Sequence, residues 1–166
     1  MADFIQHPFG PMYDEKSRIL VLGSFPSVKS REQTFFYGHP QNRYWPLVAS
    51  LLQEEVPAHG DIEAKRHLAL SHGIAMWDVI QSCRIEGSSD STIEDVTVND
   101  IRMILQAADI RQIFCNGTKS YELYQKYTKK LTGRDAVKLP STSPANAAWN
   151  LPRLQESWKV ILPYLF

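Results

Sequence analysis

The chain has 166 residues, of which 43% are hydrophobic, and it carries 18 basic and 18 acidic residues for a formal net charge of zero. This length and apolar content suit one domain around one core, and the charge balance argues against a protein that holds its ligand mainly through a broad basic face. No run approaches the ~18 apolar residues that span a bilayer, and no basic-then-apolar leader pattern is present, so we expect a single cytoplasmic domain over residues 1–166.

The sequence contains two cysteines, Cys83 and Cys115, which do not form a CxxC pair. Two distant cysteines provide neither a disulfide framework nor a four-thiolate metal cluster. We therefore expect both to be buried thiols, and we expect no metal and no other cofactor.

Four short apolar runs are predicted to be strands, and the segments between them show helical periodicity. The predicted strands are residues 18–22, 74–79, 111–115 and 136–139. The predicted helices are residues 45–52, 61–72, 99–108, 118–131 and 150–162. Gly73 and Gly133 follow two of these helices as stop signals. The alternation predicts an α/β fold in which helices cover both faces of a parallel sheet, giving three αβα layers.

A polar loop rich in Gly, Ser or Pro follows each predicted strand. In chain order these loops are GSFPSVKS (23–30), DVIQSCRIEGSSD (78–90), NGTKSYE (116–122) and PSTSPANAAWN (140–150). The carboxyl ends of parallel strands meet at one edge of a sheet, and ligands of such sheets bind beyond that edge. The sequence therefore predicts a functional site where these four loops converge.

Taken one at a time, the loop residues have ordinary structural explanations. Gly23 and Pro26 suit a turn, and Asn116 suits the cap of the next helix. The GTKS string lacks the upstream glycine and the GK[ST] order of a phosphate-binding loop, which argues against a nucleotide triphosphatase. Ser24 does not lie in a GxSxG elbow, so a serine esterase is only a distant alternative.

A local excess of positive charge lies between residues 119 and 138. Its six basic residues are Lys119, Lys126, Lys129, Lys130, Arg134 and Lys138, against two acidic residues, Glu122 and Asp135. Such a run is either the solvated face of a helix or a set of phosphate contacts, and the sequence alone leaves both interpretations open.

Five motifs together resemble the hypoxanthine-DNA glycosylase branch of the uracil-DNA glycosylase superfamily. They are GSFPSVKS, its continuation FFYGHPQNRYW, then MWDVIQSCRIEGSSD, FCNGTKS and LPSTSPANA, and the resemblance runs over roughly residues 19–158. It implies a central four-stranded parallel sheet and an enzyme that removes deaminated bases from DNA. The GQDPYH-like and HPSP-type motifs of better-known branches are absent, so we expect hypoxanthine to be favoured over uracil or xanthine.

The resemblance also implies roles for residues of the first loop. Asn42 is expected to be catalytic, with its neutral amide both donating to the leaving base and orienting the attacking water, although it also suits a helix cap. Phe25 is expected to stack on the flipped base, although it also suits the core. The backbone amides of Gly23 and Ser24 are expected to donate to a base oxygen.

Further base and DNA contacts follow from the same resemblance. Asp78 and Asn116 are expected at the base edge, and Ser82 near them. The second-motif loop, residues 141–146, is expected to enter the groove of DNA and grip phosphates. The expected DNA contacts are Ser27, Lys119, Ser141, Ser143, Pro144, Ala145 and Asn146.

The expected activity is hydrolysis of the N-glycosidic bond of an extruded base by a monofunctional enzyme, leaving an abasic site. The alternative is a lesion- or nucleotide-binding module that uses the same pocket without cleavage. The expected partner is DNA that contains deaminated bases, bound by a monomer that associates with the nucleoid if the source is prokaryotic.

Overall fold

The computed structural model describes residues 2–166, which form seven strands and seven α-helices. The strands are β1 (Asp3–Gln6), β2 (Ile19–Gly23), β3 (Ile74–Asp78), β4 (Ile80–Ile85), β5 (Glu94–Val98), β6 (Gln112–Asn116) and β7 (Ala136–Leu139). The helices are α1 (Val28–Gln33), α2 (Tyr44–Leu52), α3 (Ile62–Ser71), α4 (Arg102–Ala107), α5 (Thr118–Leu123), α6 (Lys129–Thr132) and α7 (Leu151–Trp158). A π-helical turn, Tyr124–Thr128, joins α5 to α6, and the 3₁₀ segments are Asp90–Thr92 and Lys159–Leu165.

The four predicted strands form a parallel sheet in the order β3-β2-β6-β7, which confirms the predicted α/β fold. Every residue of β2 and β3 is buried, as expected for strands covered by helices on both faces. The chain adds β3 on one side of β2 and then crosses back to place β6 on the other side. The sheet therefore changes direction beside β2, and the carboxyl ends of β2 and β6, at Gly23 and Asn116, flank the crevice where ligands of such sheets bind.

A second, three-stranded antiparallel sheet in the order β1-β4-β5 was not expected from the sequence. Residues 78–90 were predicted to be one polar loop, but Ile80–Ile85 is strand β4 and pairs with β1 from Asp3↔Ile85 to Gln6↔Ser82. The polar residues Gln81 and Arg84 are exposed while the residues between them are buried, so the segment reads as loop although it is half-buried strand. Ser82 belongs to this strand and does not line the cavity described below.

Helix boundaries follow the predicted signals with two differences. α4 begins three residues later than predicted because the buried Asn99 side chain bonds to the Asp78 and Ile80 carbonyl oxygens instead of entering the helix. α1 was not predicted, since its six residues lie inside a loop rich in serine, where Ser27 accepts from the Ser30 amide and caps the helix.

Both cysteines are buried, as predicted, and burial raises the pKa of the Cys115 thiol to about 12. Among residues 2–166, no helix is long and apolar enough to cross a membrane.

Candidate base-binding pocket and adjoining groove

A cavity of about 300 Å³ opens at the carboxyl ends of β2 and β6, where the switch in strand order predicts a ligand site. Its wall includes Asn42 and all five residues predicted to contact the base: Gly23, Ser24, Phe25, Asp78 and Asn116. Four predicted DNA contacts of the second-motif loop also line it: Ser141, Ser143, Pro144 and Ala145. Residues more than 100 positions apart in the chain thus meet at one sheet edge.

Glycine is required at the end of β2 because other groups occupy the space of a side chain there. A Cβ on Gly23 would overlap Asp78 Oδ1 and would lie 3.2 Å from the Tyr37 hydroxyl oxygen. Gly117, after β6, has φ of 102° and would place a Cβ 3.1 Å from Ser141 Cβ. Both glycines let loops of the site approach the sheet edge closely.

Asn42 is anchored through its carbonyl oxygen. Oδ1 accepts from the Tyr44 amide at 2.9 Å, at the start of α2, and from the Thr142 hydroxyl at 2.8 Å. The amide hydrogen of Tyr44 can only be donated, which fixes Oδ1 on that side and leaves Nδ2 as the polar group available to a ligand. Asn42 is therefore a cap and a cavity donor at once, and the acceptor that was expected to orient water is already engaged twice.

Thr142 links three loops through one buried hydroxyl group. Thr142 Oγ1 accepts from Asn116 Nδ2 at 3.0 Å and donates to Asn42 Oδ1, and the Thr142 amide donates to Asn116 Oδ1 at 3.1 Å. The Asn116 amide thus has two bonds to the second-motif loop, in addition to its place on the cavity wall. Thr142 is fully buried and was not among the predicted site residues.

Arg43 explains why an Asn-Arg pair closes the first loop. Its guanidinium donates to the carbonyl oxygens of Ser143 at 2.8 Å, Asn146 at 3.2 Å and Thr142 at 3.4 Å, and also to that of Trp149. Five donors in a planar fork suit several carbonyl groups of one loop. Arg43 therefore shapes the second-motif loop while its neighbour Asn42 faces the cavity.

Phe25 lies in the cavity wall and also belongs to the core, with 8% of its surface exposed. The His7 ring contacts it edge-on at a centroid distance of 5.8 Å, and the Arg31 guanidinium lies 5.7 Å from its centroid. The stacking role and the core role are thus compatible for this residue.

Two polar groups beside Gly23 were not predicted from the sequence. Tyr37 has a φ of 52°, and its buried hydroxyl satisfies no hydrogen bond among the described residues, although Asn116 lies close enough to lower its pKa slightly. Burial, reinforced by the charge of Asp78, nevertheless raises the pKa of Tyr37 well above its usual value. The phenol therefore stays protonated and is a donor at the cavity wall.

Asp78 is 4% exposed, and its Oδ2 accepts from His7 Nε2 at 2.7 Å. Asp90, at the mouth, accepts from the Ser24 hydroxyl at 2.9 Å. The Ser24 hydroxyl is thus bonded to a carboxylate rather than to a histidine, which does not favour an esterase.

A groove of about 490 Å³ adjoins the cavity and shares Asp90, Ser141, Ser143 and Ala145 with it. The predicted contacts Lys119 and Asn146 lie here rather than in the cavity, together with Lys138 and Trp149. The other basic residues of the 119–138 run are engaged elsewhere where their partners are described, for example Lys129 with Asp135 at 2.8 Å. The run therefore combines both interpretations that the sequence left open.

The second-motif loop satisfies its own polar groups. Ser141 Oγ accepts from the Ser143 amide, Ser143 Oγ accepts from the Ala145 amide, and Asn146 Nδ2 donates to the Ser141 carbonyl oxygen. Such a loop is fixed in shape before any ligand arrives. Over residues 2–166 no cluster of three or more His, Cys, Asp or Glu side chains could hold a metal ion.

The fold and the cavity define a class of protein. The sequence model of the Uracil DNA glycosylase superfamily matches residues 11–164, and the chain belongs to this superfamily.

Particular relatives narrow the comparison. A protein of Methanosarcina acetivorans named hypoxanthine DNA glycosylase is 33% identical over 160 residues, which cover 95% of this chain and 98% of that protein. A protein of the same name from Methanosarcina barkeri is 32% identical over 142 residues, covering 83% and 86% of the two chains. A solution NMR structure of a candidate uracil DNA glycosylase from M. acetivorans superposes with a TM-score of 0.81 at 32% identity, over 98% and 99% of the chains. The predicted resemblance is confirmed.

Proposed function

We propose that this protein is a DNA repair glycosylase that extrudes a deaminated base, hypoxanthine above all, and hydrolyses its N-glycosidic bond. Membership of the superfamily and the names of two relatives support the activity. Water adds to C1′ of the sugar, the bond from C1′ to the base nitrogen breaks, and the base departs with the bonding electron pair before it takes up a proton. An abasic site remains.

The observation that carries the proposal is the Asn42 amide, which is fixed in the cavity by two bonds to its oxygen and exposes its nitrogen to a ligand. A departing base gains negative charge, and a neutral donor held in place stabilises that charge without reorganisation. The sugar gains positive charge, which the carboxylates of Asp78 and Asp90 on the same cavity wall favour. Little covalent chemistry is asked of the protein.

The groove supplies the second half of the proposal. Lys119, Lys138 and the polar loop at 141–146 form a surface for the phosphates that flank the extruded nucleotide. We propose that Ser27 acts here through the N-terminus of α1, since its hydroxyl already caps that helix. We also propose that the single domain acts as a monomer, works without a metal and resides with the DNA of the cell.

Base release under single-turnover conditions tests the proposal. Duplexes with hypoxanthine, xanthine or uracil at one position are incubated with excess protein in EDTA, and the freed base is quantified. We expect hypoxanthine to be released fastest. Tight binding of the hypoxanthine duplex without any freed base would instead support the non-catalytic binding module.

A further inference from the structure

His7 reaches the cavity from outside the part of the chain that matches the superfamily, which begins at residue 11. The edge strand β1 carries it there, and the His7 amide extends the ladder by donating to the Gln81 carbonyl oxygen at 2.7 Å. The His7 side chain is only 3% exposed. Edge-on contacts with the rings of Phe9 at 4.5 Å and Phe25 at 5.8 Å hold the imidazole behind the cavity wall.

Two hydrogen bonds fix the protons of this imidazole. The Phe9 amide donates to Nδ1 at 3.3 Å, and because a backbone N–H can only donate, Nδ1 must present a lone pair. The proton of the neutral ring is therefore on Nε2, which donates to Asp78 Oδ2 at 2.7 Å. A protonated Asp78 that donates to the histidine is incompatible with this arrangement.

Asp78 is thereby held as an acceptor with one oxygen occupied. Its other oxygen, Oδ1, accepts no hydrogen bond that we find among residues 2–166, and it lies over Gly23 at the cavity wall. An ionised carboxylate accepts but does not donate, so a ligand that meets Oδ1 favourably must bring an N–H or O–H group. The Nε2–H bond also draws negative charge toward the histidine and away from the cavity.

The six-membered rings of purines differ at this point. Hypoxanthine carries a hydrogen on N1, whereas adenine, the base from which deamination produces it, presents a lone pair on N1. A fixed acceptor bonds to the first and repels the second, and selection by an unpaired buried group is stronger than selection by shape alone. The undamaged base is then rejected by the same carboxylate that accepts the damaged one.

We propose that His7 is a positioning residue that holds Asp78 as an ionised acceptor, so that the pocket selects purines with a hydrogen on N1. This proposal rests on the proposed function, since it assigns the choice of base in the same cavity. It assigns a role to a residue that the motifs of the site do not contain.

Two measurements test it. In the first, long-range ¹⁵N–¹H NMR correlations of the free protein report the tautomer of His7. We expect the Nε2–H neutral ring, and a proton on Nδ1 would overturn the proposal whether or not the protein releases any base.

The second measurement is single-turnover hypoxanthine release at saturating protein by His7→Phe and His7→Gln. His7→Phe keeps a ring but loses the donor, and we expect a loss of about tenfold or more, because a hydrogen bond to a charged group contributes roughly that factor. His7→Gln keeps an N–H donor, and we expect it to restore most of the rate. Binding of adenine-containing DNA relative to hypoxanthine-containing DNA should increase in His7→Phe alone.

The outcomes separate the two proposals. A wild-type protein that releases no base contradicts the proposed function, and the NMR result then stands by itself. A wild-type protein that releases hypoxanthine, together with a folded His7→Phe variant of equal rate and equal selectivity, overturns the role of His7. Melting temperatures identify a variant that fails to fold, and in that case the tautomer of the wild-type protein and the His7→Gln rate decide.

Discussion

The cavity and the groove adjoin, but they differ in charge. The charged carboxylates on the cavity wall are Asp78 and Asp90, whereas the groove contributes Lys119 and Lys138. Negative charge in the cavity favours a sugar cation and repels phosphate, while positive charge in the groove attracts phosphate. The comparison indicates a division of work in which the cavity determines the choice of base and the rate, and the groove determines the affinity for DNA.

The largest expected effect belongs to the cavity. Asn42→Ala removes a donor that matters chiefly when the base departs, so the single-turnover rate should fall on the order of a hundredfold or more. DNA affinity should change little, because the groove is intact. Rates at saturating protein and equilibrium binding of the same duplex provide the comparison. Equal losses in rate and affinity would erase the distinction between the two regions.

A smaller effect is expected at Phe25, which lies in both the cavity wall and the core. Phe25→Ala should weaken capture of the base by roughly 1–3 kcal/mol if the ring stacks on it. Phe35→Ala is the matched control, since Phe35 is similarly buried but does not line the cavity. Fluorescence of a base analogue at the lesion position reports capture, and melting temperatures report stability. If both variants lose the same stability and neither loses capture, Phe25 is a core residue only.

Thr142 tests whether the three loops work as one unit. Thr142→Val keeps the shape but removes the hydroxyl that joins Asn116 to Asn42, and we expect a rate loss of about three- to tenfold from a misplaced Asn42. Thr142→Ser keeps the hydroxyl and should remain close to the wild-type rate. A Thr142→Val variant with the full rate would show that the bond from Tyr44 alone suffices to place Asn42.

The groove should give the smallest change in rate. Lys119→Ala and Lys138→Ala should each weaken binding of all duplexes alike and reduce the slope of log affinity against log salt by about one, without changing the rate at saturation. Lys129→Ala is the matched control, because Lys129 belongs to the same basic run but pairs with Asp135 away from the groove. Titrations at several salt concentrations measure the slope. A salt slope that Lys129→Ala lowers equally would move the DNA path away from the groove.

The parallel sheet was predictable because its strands are continuous apolar runs that only burial on both faces explains. β4 was missed because its polar and apolar residues are mixed, and β1 because an exposed edge strand of four residues carries no strong pattern. The four loops were placed correctly since topology brings the ends of parallel strands together.

Within the site, motif residues could be named, but their partners could not. Nothing in the sequence indicates that His7 crosses to Asp78, 71 residues away, or that Thr142 bonds to Asn42, 100 residues away. These contacts depend on loop conformations that arise only when the chain is folded. The double use of the Asn42 amide is likewise visible only where both its ends are located.

Comparison of Asn42→Ser with Asn42→Ala tests the central claim most directly, because the amide is both a cap and a donor. Serine can still accept from the Tyr44 amide at the start of α2, but it does not present the amide nitrogen to the cavity. Single-turnover hypoxanthine release and the melting temperature are measured on both variants. We expect Asn42→Ser to regain much of the ~1 kcal/mol of stability that a lost cap costs while remaining as slow as Asn42→Ala. A stable Asn42→Ser protein with the wild-type rate would contradict the assignment of catalysis to Asn42.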